Sequence, residues 1–219
     1  MKKLIIAIVG VLLLAGCATV YRVKVNGYLS PGRDVVYLPS GASFYVLPEQ
    51  NSRNLIFESE IKSKIEALLS EKGFRILPRE QADFYLTYIY SPGSGRQVTE
   101  IRPVYQPAET GTIQKITEEG KAETSFITFP GYTSYVPYRY TLYTYSLALE
   151  VVDARLARST KEEKQLWIGE ASSSLENPDH REAVNYLLVA LFEHFGEDTH
   201  RSLKVDISAK NPGVKKLMQ

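Results

Sequence analysis

Three groups of residues have the types and spacing to do chemistry. Glu193, His194, Glu197, Asp198 and His200 supply carboxylates and imidazoles within a short stretch, the donor set of a zinc-type site. Their spacing fits no zincin pattern, and the histidines stand on either side of Gly196, where a helix should stop. The expectation is a solvated helix end, with no metal and no other cofactor. Cys17 is the only cysteine of the chain and closes an apolar run. Tyr132, Tyr135, Tyr138, Tyr140, Tyr143 and Tyr145 concentrate phenol groups in one segment. Other combinations fail on context. Ser94 lies between Gly93 and Gly95 in a breaker-rich loop, not on a strand-to-helix turn, so it is no nucleophile elbow. No helix follows Gly93-Ser94-Gly95-Arg96, which excludes a phosphate loop. Glu162-Glu163 reads as a solvated pair in a charged connection, and His180 as an exposed first-turn residue. No catalytic residue emerges, and the chain is not expected to be an enzyme.

Cys17 has the best-defined chemistry. Lys2 and Lys3 precede an apolar run from Leu4 to Leu14 broken only by Gly10, and Ala15-Gly16 lead into the cysteine. This is the layout of a secretory signal, too short for a permanent bilayer span. Leu14-Ala15-Gly16-Cys17 resembles the bacterial lipobox, in which the cysteine sulfur is acylated and the chain is cut before it. Each buried methylene of an acyl chain contributes roughly 0.8 kcal/mol, so several chains on Cys17 would hold the protein at a membrane stably. Residue 18 is Ala, not Asp, which favours the outer membrane, facing the periplasm, over the inner one.

Composition narrows the remaining possibilities. The 26 basic and 25 acidic residues give a formal charge of +1 and no reason to expect nucleic acid as a partner. With Cys17 acylated, no thiol is left for an internal disulfide, so the fold must rest on its core. Fifteen tyrosines against eight phenylalanines and one tryptophan suggest amphipathic surface as well as core. Tyr143 and Tyr145 fall on the apolar face of a strand and read as core, as does Trp167 beside Gly169 and Ala171. Tyr132, Tyr135 and Tyr138 sit among Gly131, Ser134 and Pro137 and read as an irregular, exposed segment suited to binding.

The elements that position these groups follow from periodicity. Tyr21, Val23 and Val25 alternate with polar residues as a strand, and short strands are expected at Asp34–Leu38 and Ser43–Leu47. Asn54 to Lys72 is a helix with Phe57, Ile61, Ile65, Leu68 and Leu69 on one stripe, capped by Asn51, Ser52 or Asn54 and ended by Gly73. Phe74–Leu77 and the mostly apolar Ala82–Tyr90 are strands, the second central. Val98–Tyr105, Thr112–Thr117 and Ala122–Phe129 are strands of an inserted ribbon, with a turn at Glu118-Glu119-Gly120-Lys121. Thr141–Asp153 and Lys164–Ser172 pair antiparallel across the charged connection 154–163. A last helix is expected to start with Asn177 as cap and Pro178 in the first position, burying Val184, Leu187, Leu188, Leu191 and Phe195. The tail from Asp198 reads as a loosely held polar extension.

Several of these stretches carry a family resemblance. Phe44-Tyr45-Val46-Leu47-Pro48, Lys72-Gly73-Phe74, Ala82-Asp83-Phe84-Tyr85-Leu86, Val151-Val152-Asp153-Ala154 and Leu166-Trp167-Ile168-Gly169-Glu170-Ala171 together resemble the bacterial envelope lipoproteins grouped as domain of unknown function 4136. The resemblance covers most of residues 43–195 and implies a shared fold, with no catalytic residue to carry over. The longer, tyrosine-rich stretch from Ser91 to Tyr140 and the long 154–163 connection depart from it. The expected architecture is α+β, an antiparallel-rich sheet with two amphipathic helices packed on one face and an inserted β ribbon. Residues 1–16 would be the signal, 17–197 one lipid-anchored domain with an insert at about 91–140, and 198–219 the extension. The expected function is a membrane-anchored, non-enzymatic module that binds or scaffolds another envelope protein. The alternative is a carrier or sensor of a small or lipidic ligand held between helices and sheet.

Overall fold

The computed structural model describes residues 20–30, 38–47, 54–116, 118, 120–160, 164–176 and 179–219. Cys17 and its apolar run, residues 34–37 of the expected second strand, the alternative caps Asn51 and Ser52, Glu162-Glu163 and Asn177-Pro178 lie outside the described residues. The fold is α+β with a mixed, mostly antiparallel sheet. In chain order the elements are β1 (Val20–Leu29), β2 (Ser43–Leu47), α1 (Leu55–Glu71), β3 (Arg75–Ile76), β4 (Phe84–Pro92), β5 (Arg96–Gln106), β6 (Glu109–Ile116) and β7 (Ala122–Phe129). They continue with β8 (Tyr132–Asp153), α2 (Ala154–Thr160), β9 (Gln165–Leu175), α3 (His180–Glu193), β10 (Leu203–Ser208) and α4 (Pro212–Leu217). The chain divides into a core unit, which runs up to Ser94 and resumes at Tyr143, and a ribbon unit, Gly95–Leu142.

In the core unit the sheet order is β10-β1-β9-β8-β4-β2-β3. Strand β2 runs parallel to β3 and β4, and the other pairs are antiparallel. The register brings one apolar face into line. Leu86 faces Val151, Tyr88 faces Leu149 and Tyr90 faces Leu147, while Val151, Leu149 and Leu147 face Trp167, Gly169 and Ala171 on the other side. These side chains are buried, as are Phe44, Val46, Val23 and Val25. Helix α1 packs on β2 and β3, and α3 packs on β9, β1 and β10. Asn54 caps α1, its side chain accepting from the Phe57 N–H at 3.1 Å, and Gly73 at φ +85° ends it.

Two expectations need correction. The last helix begins at His180, with Asp179 as its cap, accepting from the Arg181 and Glu182 N–H groups at 2.9 and 3.0 Å. Every residue from Ala183 to Phe192 is buried, so α3 has no wide polar face. The reason is the tail. Residues 203–208 form β10 on β1, from Val25 opposite Leu203 to Val20 opposite Ser208, and α4 packs on α3. Ile207, Val214 and Leu217 are buried in the same core. The extension from Asp198 is therefore built into the domain. Its signals were Leu203, Val205 and Ile207 at strand alternation, and Asn211-Pro212 as a helix start.

The ribbon unit has the expected strands. Arg96 to Gln106 of β5 pair antiparallel with Leu142 to Tyr132 of β8, and β6 pairs with β7 from Glu109 opposite Phe129 to Ile116 opposite Ala122. Gly120 at φ +76° serves the turn. The difference lies at Tyr132–Tyr140. This segment is regular strand, because β5 supplies a complete ladder partner in spite of Gly131, Ser134 and Pro137.

Candidate functional site

The cluster after α3 works as a brace. His194 Nδ1 lies 3.2 Å from Glu197 Oε2, while His200 Nδ1 lies 3.3 Å from Asp198 Oδ1, so each imidazole has its own carboxylate. Glu193 is exposed at the helix end. Among the described residues no group of three or more His, Cys, Asp or Glu converges as a metal site. What the segment does hold is Trp167, whose Nε1 donates to the Glu197 carbonyl at 2.9 Å. The six-membered ring of the indole abuts Gly169, where any Cβ would collide with it. Thr199 ties the same segment to β1, its Oγ1 accepting from the Gly27 N–H at 3.0 Å and its N–H donating to the Gly27 carbonyl at 3.2 Å. Trp167 is thus core. His180 is exposed at the start of α3, its ring edge-on to Tyr90 and Tyr145.

Among the described residues of the core unit are two cavities lined by charged side chains. One of about 410 Å³ is lined by Gly41, Asp83, Asp153, Arg155, Lys164 and neighbours. Its centre is a clasp between chain segments. Asp83 Oδ2 accepts from the Ser43 hydroxyl at 2.7 Å and the Ser43 N–H at 3.1 Å, and Oδ1 pairs with Arg155. The Arg155 guanidinium, helped by Ser43, holds the Asp83 carboxyl down at about 2. Asp153 Oδ1 caps α2 through the Arg155 and Leu156 N–H groups, both at 3.0 Å. Asp83 and Asp153 are thereby committed to structure. The second cavity, about 550 Å³, lies among Glu60, Lys64, Arg181, Glu182 and Asn185. Asn185 is buried, and its Oδ1 has no hydrogen-bond partner in the structure.

The ribbon unit offers a different kind of surface. None of its described side chains is buried. Tyr132, Tyr135 and Tyr138 are 58, 71 and 40 % exposed, as the sequence suggested, but strand alternation splits them. Tyr135 shares a face with Thr133, Pro137 and Arg139, and across the ladder with Ile101, Pro103 and Tyr105. Tyr132 and Tyr138 share the other with Tyr140, Val136, Val104, Arg102 and Glu100. That second face carries its own polar network. The Arg102 guanidinium lies 3.8 Å from the Tyr138 ring centroid and 3.2 Å from Glu100 Oε2, and the Tyr140 hydroxyl donates to Glu100 Oε1 at 2.6 Å. Tyr140 and then Arg102 hold the Glu100 carboxyl below the ordinary range. The first face has no such network, and Arg139 is its only charge along the ladder with β5.

No helix among the described residues is long and apolar enough to cross a membrane. None of the curated proteins matches this chain. Among solved structures it is similar to a PDZ domain protein from Parabacteroides distasonis, at 13 % identity and a TM-score of 0.43. That match covers 93 % of this chain but 42 % of the other, so the chain spans less than half the length of that relative. A family model described as a domain of unknown function matches residues 36–195, from before β2 to the end of α3 and across the whole ribbon. Strands β1 and β10, which pair with one another, lie outside the matched range. The chain belongs to the DUF4136 family.

Proposed function

We propose that this chain is a non-enzymatic binding or scaffolding module, held at the outer membrane by acyl chains on Cys17, whose ribbon engages another envelope component. One observation carries the reading. A unit of nearly fifty residues, rich in tyrosine and isoleucine, buries none of its described side chains. A two-stranded ribbon is marginal in water without something packed on it, and contiguous exposed apolar surface beyond a few hundred Å² marks an interaction site. Tyrosine adds contact area at low entropic cost and tolerates solvent when unbound. In the same reading α1 and α3 cover one face of the sheet, which is supported by their sharing one apolar core with its inward residues. That leaves the ribbon as the adaptable part.

The test is photo-crosslinking in cells from probes at Tyr132 and Tyr138, with an exposed core position, Glu80, as control. A second envelope protein captured from the ribbon positions and not from Glu80 is the expected result. Equal capture from Glu80, or none from the ribbon, would overturn the reading. A ligand carrier is the second reading, favoured by the unpaired Asn185 Oδ1 beside its cavity. Native mass spectrometry of the purified protein would then show a bound small molecule that Asn185→Leu removes.

A further inference from the structure

The ribbon has two unlike faces, and the observations assign one of them an occupant. We propose that the face bearing Ile101, Pro103, Tyr105, Tyr135 and Pro137 is an interface between two copies of this chain. The proposal rests on the reading of the ribbon as an interaction surface and names the partner for this face alone.

Four features point to a second copy. The first is need: a ribbon without buried side chains requires a cover, and an identical chain is always present wherever the protein is made. The second is charge. The other face carries Arg96, Glu100 and Arg102, whereas this face offers Arg139 alone, away from its middle, so two copies can meet without repulsion at the centre. With a two-fold axis through the Pro103–Tyr135 pair, each Arg139 lies four residues from it. The two guanidiniums are then roughly 27 Å apart, well beyond the ~8 Å screening length. The third is shape. The face runs from Tyr105 and Tyr135 to Ile101 opposite Pro137, so a two-fold axis lays the aromatic end of one copy on the aliphatic end of the other.

The fourth feature is the ribbon's edges. Proline lacks an N–H and is tolerated in a ladder only where that group would point away from the partner strand. Pro103 on β5 and Pro137 on β8 therefore remove outward donors from both arms, which discourages strand addition and leaves face-to-face packing. The area suffices. Ile101, Tyr105 and Tyr135, at 71, 68 and 71 % exposure, together present on the order of 500 Å². The adjoining exposed Pro103, Thr133 and Pro137 bring the face towards the ~800 Å² per partner that a stable dimer buries.

Sedimentation velocity of the full chain in density-matched detergent tests this, from about 1 to about 50 µM. The expected species has twice the mass of a single lipidated chain. Ile101→Glu with Tyr135→Glu should weaken association by at least ~100-fold and give single chains. Val104→Glu with Val136→Glu, on the opposite face, should leave the dimer intact. Should the first pair disturb folding, a milder pair decides: under a mild oxidant Tyr135→Cys should form a reducible dimer, and Val136→Cys should give no more than the wild-type protein. Wild-type single chains across the whole range, or equal dissociation by both glutamate pairs, would overturn the proposal. So would wild-type single chains that bind phosphatidylglycerol vesicles through Ile101 and Tyr135, since the face would then belong to lipid. Loss of partner capture in Tyr132→Ser with Tyr138→Ser, at unchanged mass, separates the function of the other face from this one.

Discussion

The core unit and the ribbon unit are written in nearly the same alphabet of alternating tyrosine, valine, isoleucine and threonine, yet they use it differently. In β8 the odd residues Tyr145, Leu147, Leu149 and Val151 are buried, while a few positions earlier in the same strand Tyr135, Pro137 and Arg139 are exposed. Strand-forming residues set the backbone in both places. Burial comes only where helices pack on the strands, here α1 on β2 and β3 and α3 on β9, β1 and β10. The contrast teaches that alternation predicts a strand and says nothing of what covers it.

Substitution on the two sides of this divide should separate them sharply. Trp167→Ala removes a buried indole and strands the Glu197 carbonyl that it satisfies. A loss of about 3–5 kcal/mol is expected, seen as a fall in Tm of roughly 10 °C or more. Leu147→Ala should behave alike at a smaller scale, with partner capture through the ribbon retained. Removing residues 211–219 exposes the surface that Val214 and Leu217 cover and should cost about 3 kcal/mol by urea unfolding. A truncated chain as stable as the whole would return the tail to the status of an appendage.

The Asp83 clasp gives a pH test confined to the core unit. Its carboxyl titrates near 2 when folded, below its ordinary value near 4, so the clasp contributes fully above about pH 4 and is lost as pH falls through about 2. Asp83→Asn should be less stable by roughly 1.5–3 kcal/mol at pH 6 and should show a flatter decline between pH 4 and 2. Parallel pH curves for variant and wild type would mean that the carboxylate is not what Arg155 and Ser43 hold. At the small end, Tyr132, Tyr135 and Tyr138 changed together to serine should leave Tm within a few degrees, because all three are exposed. Partner capture should disappear in the same variant. Unfolding would instead show that these tyrosines sit in a core.

How much of this could be read from the chain follows the same divide. Helix α1 was legible because its cap, its stripe and Gly73 all lie within the segment itself. The ribbon strands were legible for the same local reason. The start of α3 was misplaced because Asn177-Pro178 and Asp179 are both acceptable openings, and only the structure shows the Asp179 carboxylate on two N–H groups. The tail was missed because the case for β10 is non-local: β1, nearly two hundred residues away, supplies its ladder. The tyrosine segment reads as irregular because spacing by three suits no single face. In a ribbon exposed on both sides no single face is required, so the spacing carried no information about regularity. The brace from Glu197 to Trp167 had no sequence signal, since it uses a backbone carbonyl.

The central claim is that the ribbon binds and the core unit merely holds it, and excision tests this directly. Ser94 and Tyr143 flank the ribbon, and the Gly93 N–H already donates to the Thr144 carbonyl at 2.7 Å, so a short glycine-serine turn can replace residues 95–142. The account predicts a folded protein with Tm within a few degrees of the full chain and no partner captured by crosslinking in cells. A shortened chain that unfolds, or one that still captures the same partner, would contradict it.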